Sequence, residues 1–209
     1  MNRDTRRETI AGPAGALACA IDELALADGA TLRGVAVLCH PHPLHGGTMD
    51  NKVVQTLARA FVQLGYRTVR FNVRGVEGSA GTWDEGRGET DDALAVVAHY
   101  RLAGQPLALG GFSFGSFVAA QAAARLAADG AAAERLVLVG PATSRFAMPT
   151  VPADTVVIHG EADDVVPLQA TLDWARPQML PVIVLPGIGH FFHGQLPLLK
   201  SQVLQAWHR

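Results

Sequence analysis

An open α/β architecture is expected for this sequence: a mainly parallel sheet covered by helices on both faces, with an antiparallel hairpin at one edge. Three features lead there. Short, continuously apolar runs (GVAVLC, PLALGG, ERLVLVG, DTVVIHG) recur along the chain, as in strands buried on both faces. Longer segments with apolar residues at helical spacing separate most of them. Ahead of both, TRRETIA and ALACAIDEL flank a GPAG turn and read as a hairpin.

The alternation starts at Gly34. GVAVLC gives a strand, TMDNKVVQTLARAFVQLG a helix and YRTVRFNV a second strand. A Gly-rich loop then reaches the helical GETDDALAVVAHYRLA. PLALGG and FGSFVAAQAAARLAADG form the next strand–helix pair, and ERLVLVG and DTVVIHG two further strands. PLQATLDWARPQ, LPVIVLP and FFHGQLPLLKSQVLQAWHR complete the series as helix, strand and helix.

Composition narrows the function classes. A chain of 209 residues, 49 % hydrophobic and 17 % charged, is expected to form a single domain over 1–209 with a substantial core. With a net charge of −2 and no basic patch, nucleic acid is not an expected partner. No apolar run approaches the roughly 20 residues that span a bilayer, so no membrane is expected either. MNRDTRRET leads into no apolar segment of the secretory type, and a cytoplasmic protein is the expectation. Cys19 and Cys39 make no disulfide framework, and Cys39, closing an apolar run, reads as a small core residue.

The chemistry gathers in four stretches. Gly111-Phe112-Ser113-Phe114-Gly115 joins a strand to a helix. A serine on such a turn adopts strained backbone angles, and only very small residues fit two positions to either side. Ser113 is therefore the candidate nucleophile; Ser116, inside the helix, lacks that turn. A hydroxyl needs a base, and the base an orienting acid, expected at the ends of later strands in the order acid, then histidine. VVIHGEADDVVP offers Asp163 or Asp164; Asp163 is preferred because Asp164 leads into VVP and the next helix. PVIVLPGIGHFFHG offers His190, directly after a strand and behind two glycines, while His193 lies where the last helix begins and is expected to face solvent.

The fourth stretch, LCHPHPLHGGTMDN, sets His40, His42 and His45 at the spacing of a zinc-hydrolase motif. That motif normally has aspartate where Leu44 stands, and a zinc site needs further ligands. No metal is expected. The loop instead suits an oxyanion hole, where two N–H groups meet the charge that develops on a substrate carbonyl oxygen. One donor is expected at Phe114. Pro41 and Pro43 have no N–H, which leaves His42 first and Leu44 second for the other.

Taken together, HPHPLHGGTMDNKV, RFNVRGVEGSAGTWDEGRGE, GFSFGS, HGEADDVVP and GIGHFFHG resemble a small bacterial α/β-hydrolase family related to dienelactone-hydrolase-like and esterase-like enzymes. The likeness runs over almost the whole chain, with one departure: Glu77 stands where the family commonly has glycine. It implies the α/β-hydrolase fold, a mostly parallel twisted sheet of about eight strands, and a serine hydrolase without cofactor or metal. PATSRFAMPTVPAD, between the sixth and seventh strands, is too short for the helical lid found in many relatives. An open site follows, with Phe191, Phe192 and Met148 as candidate pocket residues beside Phe114. The expected activity is hydrolysis of a small or accessible ester or thioester through an acyl-Ser113 intermediate. The alternatives are a peptidase or amidase with the same triad, or a non-catalytic binding protein on this scaffold.

Overall fold

The structure, a computed structural model, describes residues 5–25 and 31–207. The first four residues of the N-terminal stretch and the last two of the expected final helix lie outside them. One eight-stranded sheet organises the chain. In chain order its strands are β1 (Arg6–Gly12), β2 (Gly15–Asp22), β3 (Gly34–Cys39), β4 (Tyr66–Phe71), β5 (Leu107–Phe112), β6 (Arg135–Val139), β7 (Val156–Gly160) and β8 (Val182–Leu185). The helices are α1 (Lys52–Gln63), α2 (Arg87–Tyr100), α3 (Phe114–Ala128), α4 (Leu168–Ala175) and α5 (Leu196–Trp207).

The spatial order is β1-β2-β4-β3-β5-β6-β7-β8. β1 pairs antiparallel with β2, and β2 with β4; every other pairing is parallel. The expected hairpin thus extends the sheet at one edge. Buried Arg70 fastens it there, donating to Asp22 on β2 (3.1 Å) and to the Met49 carbonyl (2.8 Å) on the segment between β3 and α1.

Side chains of the parallel strands alternate between two apolar layers. Val35, Val37, Leu107 and Leu109 face a cluster that includes Val96, Phe114 and Val118 of α2 and α3. Ala36, Leu38, Ala108 and Phe112 face a second cluster with Leu57 and Phe61 of α1 and Leu199 and Val203 of α5. Burial on both faces is why these strands read as unbroken apolar runs. Both Cys39 and Cys19 are buried, and burial raises the thiol pKa of each, that of Cys19 to about 11.

From β3 the chain first moves outward to β4, then crosses back to β5 on β3's other side. The loops leaving β3 and β5 therefore diverge to opposite faces and open a crevice at the carboxyl ends of those strands, where open α/β sheets bind ligands. Residues 140–155, between β6 and β7, contain no helix, so the site has no lid. Among the described residues no helix is long and apolar enough to cross a membrane.

Candidate active site

Ser113 occupies the sharp turn between β5 and α3 with φ 55° and ψ −119°. Its flanking glycines are dictated by contact. A Cβ at Gly111 would lie 2.1 Å from the Gly115 carbonyl oxygen, and one at Gly115 would lie 2.1 Å from that of Cys39. The turn is pinned by the Ser113 N–H donating to Val139 O at 2.9 Å. Ser116 is fully buried, and its hydroxyl contacts the carbonyls of Gly111 (2.9 Å) and Val139 (3.2 Å). It closes the turn from inside the helix.

The loops after β7 and β8 are stitched together. Ala162 N–H donates to Ile188 O (3.0 Å) and Glu161 N–H to Leu185 O (2.9 Å). Gly160 allows that approach, since a Cβ there would meet Ile188 O at 2.2 Å. The pairing delivers Asp163 and His190 side by side. His190 Nδ1 lies 2.7 Å from Asp163 Oδ2, and His190 Nε2 lies 3.0 Å from Ser113 Oγ. Because the carboxylate only accepts, Nδ1 carries the proton and Nε2 faces the hydroxyl as an acceptor. Gly140 (φ 49°) lies below the imidazole; a Cβ there would come 3.3 Å from His190 Cε1.

Asp163 is buried, and its Oδ1 accepts from Val165 N–H (2.9 Å) and Val166 N–H (2.8 Å). Burial raises its carboxyl pKa, but the His190 hydrogen bond and the Val166 and Val165 N–H groups outweigh it and hold the pKa below the ordinary range. Asp164 is exposed. The turn into Val165 and Val166 is closed by the Asp163 carboxylate. His193 is exposed in the turn before α5, its ring stacked on Phe191.

The loop after β3 is rigid by construction. Buried His40 faces Pro41 O with Nδ1 (2.7 Å) and accepts the Val73 N–H at Nε2 (3.1 Å). Burial lowers its pKa to about 4, so the ring is neutral and both nitrogens are committed to the backbone. Asn72 holds the same loop by accepting the Met49 N–H at 2.8 Å. Pro43–His45 forms a single 3₁₀ turn. There the Leu44 N–H is directed to His42 Nδ1 at 3.3 Å, and Leu44 is 67 % exposed. The N–H of His42 has no acceptor among the described residues. Phe114 N–H heads α3, where the helix supplies no acceptor. Of the two loop donors considered, His42 is the one left free. No group of three His, Cys, Asp or Glu among the described residues is placed to hold a metal ion.

The pocket residues divide. Phe191 is 47 % exposed with its ring 5.1 Å from that of His190, at the mouth. Phe192 borders the same cavity as His190 and Phe191, but at φ 52° it turns inward and its side chain is fully buried in the cluster with Phe112 and Leu199. Met148 is half-buried against the α3-side cluster. An aromatic wall that the sequence did not reveal stands beside it. Around Phe114 gather His42 (5.3 Å between ring centres), Trp83 (5.0 Å) and Phe146 (5.2 Å). On the opposite flank a cavity of about 420 Å³ is lined by residues that include Thr48, Lys52, Phe191 and His193. Glu77 has an exposed side chain and a negative φ, so the position requires no glycine; Asn72 Nδ2 donates to its carbonyl at 2.8 Å.

Comparison with known proteins agrees with this architecture. Residues 42–151 match the family model described as serine aminopeptidase, S33. A lidless α/β serine hydrolase from Xanthomonas campestris is 36 % identical, over 100 % of this chain and 96 % of that one, with a TM-score of 0.87. An α/β serine hydrolase homologue from Coxiella burnetii is 35 % identical, over 96 % of each chain, with a TM-score of 0.82. An uncharacterized protein of Rickettsia prowazekii is 42 % identical over 90 residues, 42 % of this chain and 38 % of that relative's own length. The family match, the whole-chain likeness and the uncovered serine turn carry one conclusion: this chain belongs to the α/β-hydrolase superfamily, among its small lidless serine hydrolases.

Proposed function

We propose that the protein hydrolyses a carboxylic ester or thioester of a small or accessible substrate through an acyl-Ser113 intermediate. The observation that carries the proposal is the row Asp163 Oδ2–His190 Nδ1–His190 Nε2–Ser113 Oγ, with steps of 2.7 and 3.0 Å. His190 takes the Ser113 proton as Oγ attacks the substrate carbonyl, and Asp163 stabilises the imidazolium that forms. The carbonyl oxygen, now anionic, is met by the N–H groups of Phe114 and His42. As the intermediate collapses, His190 returns its proton to the departing alcohol or thiol. Water then attacks the acyl group by the same route and frees Ser113.

Since the leaving group must receive its proton from His190 Nε2, it lies on the Phe191 flank. The acyl group then lies toward Trp83 and Phe146. A second reading, cleavage of an aminoacyl amide, draws on the description of the matching family and uses the same residues. One experiment tests both. The protein is labelled with a fluorophosphonate, then assayed on p-nitrophenyl esters, acyl thioesters and aminoacyl p-nitroanilides of graded size. Labelling at Ser113 with turnover of short esters or thioesters is the expected result. Turnover confined to anilides would replace the ester reading, and absence of labelling would favour a binding protein.

A further inference from the structure

His159, the next-to-last residue of β7, enters neither the nucleophile row nor the oxyanion loop, yet it is fully buried four residues before Asp163. Its Nε2 faces Val166 O at 2.9 Å and lies 3.4 Å from Asp163 Oδ2. A carbonyl oxygen can only accept, so Nε2 carries the proton. Nδ1 is then an acceptor, and Thr171 Oγ1 stands 3.2 Å from it as donor. Thr171 Oγ1 in turn lies 3.0 Å from Thr143 Oγ1, in the segment that follows β6. The tautomer is fixed from both ends of the ring.

We propose that His159 is a positioning residue for Asp163: its Nε2–H, bonded to Val166 O, lies close enough to Oδ2 for the N–H dipole to draw part of the carboxylate charge away from His190. The proposal rests on the Ser113–His190–Asp163 reading above. The two oxygens of Asp163 have different duties. Oδ1 is fixed by the Val165 and Val166 N–H groups, which set the orientation of the carboxylate. Oδ2 serves His190 at 2.7 Å and has His159 as its second polarising neighbour. Without His159, Oδ2 would concentrate its charge on His190 and hold the imidazolium more firmly.

The titratable groups acting on His159 are Asp163, on the loop after β7, and His190, on the loop after β8; from α4 it meets the Thr171 hydroxyl, which is itself 3.0 Å from that of Thr143 in the β6–β7 segment. Burial, the largest influence, and the nearby His190 lower its pKa below that of an ordinary histidine, against the opposing pull of Val166 O and Asp163. It is therefore a neutral donor at neutral pH.

The test follows phosphonylation of Ser113, in which Oγ displaces fluoride from a fluorophosphonate while His190 takes the proton, so no natural substrate is needed. Rate constants are measured from pH 5 to 9 for wild type, His159→Met, His159→Gln and Thr171→Val. Met fills the space without a donor, and Gln restores an N–H near the Nε2 position. In the Met variant the acid limb should move to higher pH, because the His190 imidazolium then faces the undiluted charge of Oδ2. Gln should restore the wild-type limb. Thr171→Val, which frees the tautomer but keeps the imidazole, should move the limb the same way by a smaller amount. An unchanged limb in both the Met and Val variants overturns the proposal, as does a shift in the Met variant that Gln leaves uncorrected. Should His159→Met not fold, the Val variant decides alone. Failure of wild type to label at Ser113 overturns the underlying triad reading instead.

Discussion

At residue scale, Ser113 stores strain that the surrounding structure must hold. Its φ of 55° lies where a non-glycine residue costs ~1–3 kcal/mol, and the Val139 carbonyl and the two close-fitting glycines keep it there. The strain lifts Oγ off the helix start and aims it at His190. Ser113→Ala should keep the fold and lower turnover of an ester substrate by roughly 10⁴–10⁶-fold, because nucleophile and base act as one unit. A variant retaining a tenth of wild-type turnover would remove Ser113 from the mechanism. The two aspartates separate by environment: Asp163 is buried and bonded through both oxygens, Asp164 exposed. Asp163→Asn should therefore lose about 10⁴-fold, the scale of neutralising a triad acid, and Asp164→Asn far less. Steady-state kinetics of the pair checks this, and the opposite ranking would move the orienting role to Asp164.

At element scale, the loop after β3 shows how unequal the three histidines are. His40 is a strut between Pro41 O and Val73 N–H. The His42 ring stacks on His45 with centres 4.5 Å apart and accepts the Leu44 N–H, leaving its own backbone N–H unpaired among the described residues. His42→Ala should therefore cost far less than loss of an oxyanion donor, ~10²–10³-fold, whereas His42→Pro, which deletes that N–H, should cost at least that much. Both are read as kcat on an ester, beside an EDTA control expected to leave turnover unchanged. A fully active His42→Pro would pass the role to Leu44.

The same loop marks what the sequence could tell. Chain order, apolar runs and the Gly-x-Ser-x-Gly turn were legible because they obey local rules of burial and steric fit. The inward turn of Phe192 was not, since it depends on a positive φ that an aromatic residue rarely adopts. Nor was the service of Asp163 by His159, visible only as a histidine four positions earlier until β7 and α4 bring Thr171 to its other nitrogen. The wall of Trp83 and Phe146 also went unseen, because it joins two loops far apart in the chain.

At the scale of the whole molecule, the carboxyl edge of the sheet gathers the buried imidazoles of His40, His159 and His190, and that has a consequence for stability. Burial drops the His40 pKa from 6.5 to about 4. A group whose folded pKa is depressed stabilises the fold above its unfolded pKa, and the contribution is lost as pH falls toward the folded value. For His40 that window runs from about 6.5 down to 4. The shift corresponds to ~3 kcal/mol, since each pKa unit is worth about 1.4 kcal/mol. His159, lowered in the same direction, adds to the loss, while Asp163, also depressed, adds at lower pH, below the ordinary range of a carboxylate. Urea denaturation between pH 7.5 and 4.5 should thus show stability falling steadily with acidity. His40→Asn should be less stable at pH 7.5, because the Val73 N–H loses its acceptor, yet show a visibly shallower fall below pH 6.5. If the slopes of the two proteins matched, protonation of the buried strut would not be the source of the acid sensitivity.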